Sequence, residues 1–321
     1  MKITISKKPS LKTKNTLALS FFYNDSLGDF KKGMEFFEII NKYGFIQDQY
    51  RIPSYKKELF NFDKLNYFLT ERWIPFNKYN PYKKEYFVTL NWIELYRGKI
   101  PKYWGGVTRY GGENAKFHSN IYFYVESDGL NKMNYLENCN NLILSLVNYA
   151  NVDFARVQYY SNQEMTESEY GNEPKVTLVA DQLSEECLPD LYNITIWGKP
   201  YIEFFRRERL LNAPCYKVEE LSSELIWMQL SPDVYNAKGC WTAIRDIRER
   251  VKAHLDNNAF YDPTLHTRYL NIRELESGPE LHQKFLTGEL MKESYRKNYK
   301  VPQFDLSDIR KPLKIPEKVD K

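Results

Sequence analysis

The feature that most narrows what this chain can fold into is a repeated change of hydrophobic period, from short strand-length runs to helical spacing and back. Thr16–Tyr23 (TLALSFFY) is an unbroken run of strand length, rich in apolar and aromatic residues, and it suits a buried strand. The turn formers of NDSLGD follow and supply a helix cap. Phe30–Tyr43 then places Met34, Phe36, Phe37 and Ile40 on one helical face, with Gly44 able to end the helix. A chain that switches period in this way needs a sheet with helices laid on it. The expectation is an α+β fold, a mixed and mostly antiparallel sheet packed with several amphipathic helices.

The same switch recurs downstream. Phe45–Lys84 is rich in Tyr, Phe and Pro but weakly periodic, so it reads as packed loop with one short helix at Phe62–Arg72. Tyr86–Tyr96 (YFVTLNWIELY) and Lys116–Glu126 (KFHSNIYFYVE) read as strands, the second setting Phe117, Ser119, Ile121, Phe123 and Val125 on one side. Between them KYWGGVTRYGGENA carries two glycine pairs and reads as turns, because glycine supplies positive φ at no steric cost. Met133–Ala150 has helical spacing at Leu136, Cys139, Ile143, Leu146 and Val147. Phe154–Tyr160, Leu191–Trp197 and Leu225–Leu230 are further strands. Trp241–Leu255 is a helix whose stripe is Ile244, Ile247, Val251 and Leu255, with Asp246 and Arg250 at helical pair spacing. Another helix is expected within Pro279–Tyr295, and from Val301 the prolines and interspersed charge read as a tail. The organisation expected is one large domain over residues 1–300 followed by a tail at 301–321. A faint echo of strand, helix and strand leaves open a division into two similar halves, 1–130 and 131–300.

Charge and motif content exclude several function classes. Lys+Arg 46 against Asp+Glu 42 leaves only +4, too little for a global field directed at nucleic acid or membrane. The charge is unevenly placed: both ends are basic, while Glu164–Asp190 is acidic with Lys175 its only cation. Carboxylates without cations nearby in sequence are expected to be exposed. The start, MKITISKKPSLKTKN, lacks the apolar core of a signal peptide, and no window is long and apolar enough to cross a bilayer, so a cytoplasmic address and no membrane partner are expected. Cys139, Cys187, Cys215 and Cys240 form no CxxC pair and read as reduced, mostly buried thiols. His118, His254, His266 and His282 lack metal-ligand spacing, so no metal is expected. WGGVTRYGGENAKF matches neither a phosphate loop nor a dinucleotide fingerprint, no GxSxG elbow is present, and no cofactor is expected. Glu203 and Glu208 read as the solvated side of a helix, and Arg206, Arg207 and Arg209 as a salt-bridged surface beside them. No catalytic residue emerges, and the expectation is a protein that is not an enzyme.

The most ordered stretch is YNITIWGKPYIEFFRRERLLNAPCYKVEEL, Tyr192–Leu221. A strand ends at Trp197-Gly198, Pro200-Tyr201 makes a corner, a short helix follows to Leu210-Leu211, and Ala213-Pro214 leads into a strand pair. This order resembles the immunity proteins of bacterial polymorphic-toxin and type VI secretion systems, whose cores carry a W-G-x-x-Y-[I/V] corner and a leucine-leucine-x-x-proline step. The resemblance is concentrated in Leu188–Pro232, with weaker support from Lys116–Tyr160. One departure is Arg206, which stands where the family pattern has a small residue. The resemblance implies a mixed α+β unit that inhibits a cognate protein toxin by binding it, without turnover or cofactor. Trp197, Gly198, Pro200, Tyr201, Leu210, Leu211 and Pro214 would then be scaffold, and the acidic stretch, with Glu164, Glu167, Glu169, Glu173, Asp181, Glu185 and Glu186, the toxin-facing rim. The rival reading uses the basic terminal regions, such as KESYRKNYK at Lys292–Lys300, to engage nucleic acid or a nucleotide through phosphate attraction and base stacking. The small net charge makes that the less favoured partner.

Overall fold

A computed structural model of the chain describes residues 14–25, 27–52, 56–73, 77–80, 85–88, 91–109, 119–130, 134–164, 188 and 190–260. Ten strands form one sheet: β1 (Thr16–Tyr23), β2 (Gln49–Arg51), β3 (Glu58–Leu59), β6 (Asn91–Arg97), β7 (Tyr103–Arg109), β8 (Ser119–Glu126), β9 (Val152–Tyr160), β10 (Ile194–Trp197), β11 (Lys217–Ser222) and β12 (Leu225–Gln229). A separate hairpin pairs β4 (Asn77–Asn80) with β5 (Glu85–Val88). The order across the large sheet is β11-β12-β10-β9-β1-β8-β7-β6-β2-β3, and every pairing is antiparallel. The expected α+β class is what the chain adopts.

Strand β1 lies at the middle of the sheet because all eight of its side chains can be buried. Its odd positions, Leu17, Leu19, Phe21 and Tyr23, join Ile121, Phe123 and Val125 of β8 and Ala155, Val157 and Tyr159 of β9 in one core. Helices α1 (Phe30–Lys42) and α3 (Tyr135–Val147) close that face with Phe36, Phe37 and Ile40 from one and Cys139, Leu142, Ile143, Leu146 and Val147 from the other. The Asp29 carboxylate caps α1 by accepting from the Lys32 amide at 2.7 Å. Gly44, at φ 75°, ends it while the Phe45 amide turns back to the Ile40 carbonyl, as the glycine predicts. Helix α2 (Leu65–Phe68) runs into a wider π-helical turn, Leu69–Trp73, whose Trp73 indole donates to the Leu27 carbonyl at 2.9 Å.

The second face has its own core, confined to the C-terminal half of the sheet. Phe22, Phe154, Trp197, Ile226 and Met228 point into it, and it is covered by α4 (Lys199–Phe205), α5 (Arg207–Leu211) and α6 (Arg245–Leu255). Helix α6 contributes Val251 and Leu255 of its expected stripe and, in addition, a buried Arg248.

Three sequence expectations are corrected. Phe45–Lys84 is not mainly loop: β2, β3 and β4 lie within it, too short and too polar to show a period of two. Tyr86–Tyr96 holds parts of two strands that pair in different sheets, β5 to Val88 in the hairpin and β6 from Asn91 in the large sheet, with residues 89–90 outside the described residues. The first glycine pair of KYWGGVTRYGGENA is not a turn but the middle of β7. A Cβ on Gly105 would overlap the Tyr122 carbonyl oxygen and crowd the Phe123 backbone of β8, so glycine is there for close strand approach. The second pair, Gly111-Gly112, the expected helix at Pro279–Tyr295 and the tail from Val301 lie outside the described residues.

Candidate functional site

The residues singled out as a motif build a corner of the second core. Trp197 and Leu210 are fully buried, and Tyr201 is nearly so. Trp197 packs its ring 5.3 Å from Phe205 and 5.6 Å from Phe154. Gly198 donates its amide to the Asp153 carbonyl at 2.8 Å, and a Cβ there would strike the Val152 carbonyl oxygen, so β9 and the corner touch backbone to backbone. Pro200 occupies the first turn of α4, where a missing N–H costs nothing. Pro214 is exposed in the turn before β11. Leu211 departs from expectation: it is 38% exposed, because α5 has only five residues and only Leu210 faces inward. Arg206 stands between α4 and α5 at φ 68°, ψ 131°, a conformation suited to glycine and filled here by arginine.

The acidic stretch divides. Glu164 is buried, and its carboxylate accepts from the Ser161 amide and from both the amide and the hydroxyl of Thr242. It therefore ties the end of β9 to the segment before α6 and does not stand on an exposed rim. Asp190 is likewise inside, 3.4 Å from both Arg248 and Lys252. Burial raises its pKa, against the pull of those two cations. Its partners lie far off in sequence, which is why Asp190 looks unpaired within its own stretch of chain. Glu167, Glu169, Glu173, Asp181, Glu185 and Glu186 lie outside the described residues.

The other expected chemistry resolves into structure. Cys139 is buried and its thiol pKa is pushed up to about 12 by burial, while Cys215 and Cys240 are partly exposed. Cys187, His118, His266 and His282 lie outside the described residues. His254 meets the Arg209 carbonyl at 2.9 Å, at the last turn of α6. Arg207 pairs with Glu220 rather than with Glu203 or Glu208, and Arg209 donates to the Leu255 carbonyl. An open groove lies between α1 and the segment Phe62–Asn66, with Glu38, Lys42 and Asp63 at its rim. No group of three or more potential metal-ligating side chains occurs among the described residues.

The N-terminal half of the second face was not singled out by sequence. There the register places Tyr96 opposite Trp104 and Trp104 opposite Tyr124, and in the next row Glu94 opposite Gly106 and Gly106 opposite Tyr122. None of these side chains belongs to either buried core. Trp104 stacks on Tyr124 at 4.3 Å and 12°, and Tyr122 meets both rings edge-on at 5.9 Å. Trp104 is still 37% exposed, and Tyr96, Tyr122 and Tyr124 are half-buried. Gly106, between Glu94 and Tyr122, carries no side chain and is itself buried.

Charge borders this aromatic platform. Arg51 of β2 grips Glu94 with two hydrogen bonds, the Nη2–Oε1 one at 2.7 Å, and the Tyr96 hydroxyl donates to the same carboxylate. Burial would raise the Glu94 pKa, but the hydrogen bonds from Arg51 and Tyr96 outweigh it and hold the carboxyl below its ordinary range. Tyr96 is pushed up to about 12 by burial and by the Glu94 charge. The Lys57 ammonium sits 3.4 Å from the Tyr96 ring centroid. The platform thus offers four aromatic rings, a fixed ion pair and a seated lysine, with nearly balanced charge. Its signal in sequence was the other side of KFHSNIYFYVE: opposite Ile121, Phe123 and Val125 stand Tyr122 and Tyr124, where a solvated face would carry charge.

No protein-family model matches the chain, and no curated protein matches it. Among solved structures it is similar to a T6SS protein of Pseudomonas aeruginosa, at 8% identity over 74% of this chain and 73% of that chain, with a TM-score of 0.47. A likeness at this level carries no functional argument.

Proposed function

We propose that the chain is a cytoplasmic immunity-type protein that binds and neutralises a cognate bacterial protein toxin without catalysis, using the aromatic platform of β6, β7 and β8 as its contact surface. The observation that carries the reading is the composition of that surface. Tryptophan, tyrosine and arginine are the residues in which binding energy concentrates at protein interfaces, and here Trp104, Tyr122, Tyr124 and Arg51 share one rigid sheet face. The resemblance of Tyr192–Leu221 to immunity proteins supports the same reading and supplies the partner class. The platform replaces Glu164 as the contact proposed, because Glu164 is spent internally.

Stacked aromatics on an open sheet also suit single-stranded nucleic acid. That reading needs a cationic track for the backbone, and here Glu94 neutralises Arg51 while Glu58 is bound by the Tyr50 hydroxyl at the same edge. A protein partner fits the balanced charge better. The test is coexpression with the adjacent toxin gene, with growth rescue and co-elution on gel filtration expected. Trp104→Ala is expected to weaken the complex at least about tenfold while leaving the fold intact. The absence of both growth rescue and a complex would sink the proposal, and tight binding to single-stranded nucleic acid that falls steeply with salt would favour the rival.

A further inference from the structure

Arg156 lies near the middle of the sheet on β9, with Ser20 of β1 and Thr195 of β10 as its cross-strand neighbours. It points to the second face and is 6% exposed. From Nη1 it donates to the Tyr192 hydroxyl, and its guanidinium carbon lies 4.8 Å from the Tyr192 ring centroid and 5.8 Å from that of Phe22. Among the described residues no carboxylate pairs with it. Of the buried carboxylates nearby, Asp190 is committed to Arg248 and Lys252, and Glu164 to Ser161 and Thr242.

A buried cation without a counter-charge is costly, and most side chains escape by changing protonation state. Arginine cannot. Nor can Tyr192 supply the negative charge: burial pushes its pKa up to about 12, so it stays a neutral phenol. A second unused donor stands on the same face of β9. The Tyr160 ring stacks at 6.5 Å and 29° on Trp241, the same indole that packs against Tyr192, and its hydroxyl has no hydrogen-bond partner among the described residues. Burial keeps that hydroxyl protonated as well. Tyr192, having accepted from Arg156, retains its own proton to donate. Beyond it, Trp241 lies 5.4 Å from Tyr192 and carries the Arg248 guanidinium 3.6 Å from its centroid, adding a second cation to the stack.

We propose that Arg156, Tyr160 and Tyr192 form a binding site for a small oxyanion, a phosphate or carboxylate group held by the Nε and Nη2 N–H groups of Arg156 and the two phenolic hydroxyls. The site lies beside the aromatic platform, with Ser20 of β1 between Arg156 and Tyr122 in one cross-strand row. It uses other strands than the aromatic platform, and it supplies a charge that no described residue gives the buried guanidinium. Guanidinium and oxyanion match in geometry, since the planar fork can give two parallel hydrogen bonds to two oxygens.

The test is thermal unfolding of the full chain in inorganic phosphate and, separately, in acetate, with ionic strength held constant by sodium chloride. A saturable rise in melting temperature, on the order of 2–4 °C, is expected with one or both anions. A rise with phosphate alone assigns a phosphoryl ligand, and a rise with acetate alone a carboxylate. Arg156→Met keeps the length of the chain and removes an unpaired charge, so it is expected to melt no lower than the parent in chloride and to lose the anion-dependent rise. Tyr160→Phe keeps the ring on Trp241 and is expected to weaken anion binding at least about threefold by calorimetry, which decides the matter if the Arg156 variant does not fold. No anion-dependent rise in the parent, or a rise that survives in Arg156→Met, overturns the proposal.

Discussion

Arg206 holds φ 68° and ψ 131° between two short helices, where an L side chain crowds its own backbone. Its side chain is exposed, so the strain is not repaid by burial. Arg206→Gly is therefore expected to stabilise the protein by roughly 1 kcal/mol, read as a higher urea midpoint at unchanged slope. Glu94 works in the opposite sense. Its folded pKa lies below the ordinary glutamate value, so its contribution is present above that ordinary value and lost as pH falls through the lower folded one. The Arg51 side chain is 43% exposed and screened by solvent, which limits the pair to on the order of 1 kcal/mol or less. The stability gap between the parent and Glu94→Gln should appear at neutral pH and close in acid. A gap that persists below the carboxylate range would mean that Glu94 acts through packing instead of charge.

At the scale of elements, β7 shows how a glycine pair can mislead. In isolation Gly105-Gly106 has the chemistry of a turn, because the sequence shows what φ a residue tolerates but not what lies across the strand. The deciding neighbour, the Tyr122 carbonyl of β8, is supplied by the sheet. Gly105→Ala is expected to cost roughly 1–3 kcal/mol by forcing β7 and β8 apart, measurable by chemical denaturation. Elements whose own side chains fix their environment were legible: β1 runs over Thr16–Tyr23 as expected, and α1 and α3 bury the faces their spacing indicates. Elements set by remote partners were not. Strands β2 and β3 are held by pairing with β6 and with each other, and carry too few residues to show a period. The same limit hid the candidate site. Trp104 and Tyr124 become neighbours only through the β7–β8 register, and Arg156 is buried only once β1 and β10 flank it.

Over the whole molecule, one sheet packs its first face against α1, α3 and the segments around them and presents its second face in two halves. The C-terminal half supports the corner at Trp197-Gly198, and the N-terminal half displays the aromatic platform. This division predicts separable losses. Trp197→Ala is expected to lower stability by about 3–5 kcal/mol, whereas Trp104→Ala should change partner affinity with little effect on the melting temperature. A Trp104→Ala variant that unfolds would place that ring in the core instead. The strand order has one more consequence, and it concerns synthesis. Residues 16–23 form the centre of the sheet, yet their two partners are residues 119–126 and 152–160. At about 5–20 residues per second, the newly made first strand waits several seconds or more on the ribosome with both apolar sides uncovered. It is the segment a chaperone would be expected to hold, and the point at which a slowed or truncated translation product would aggregate.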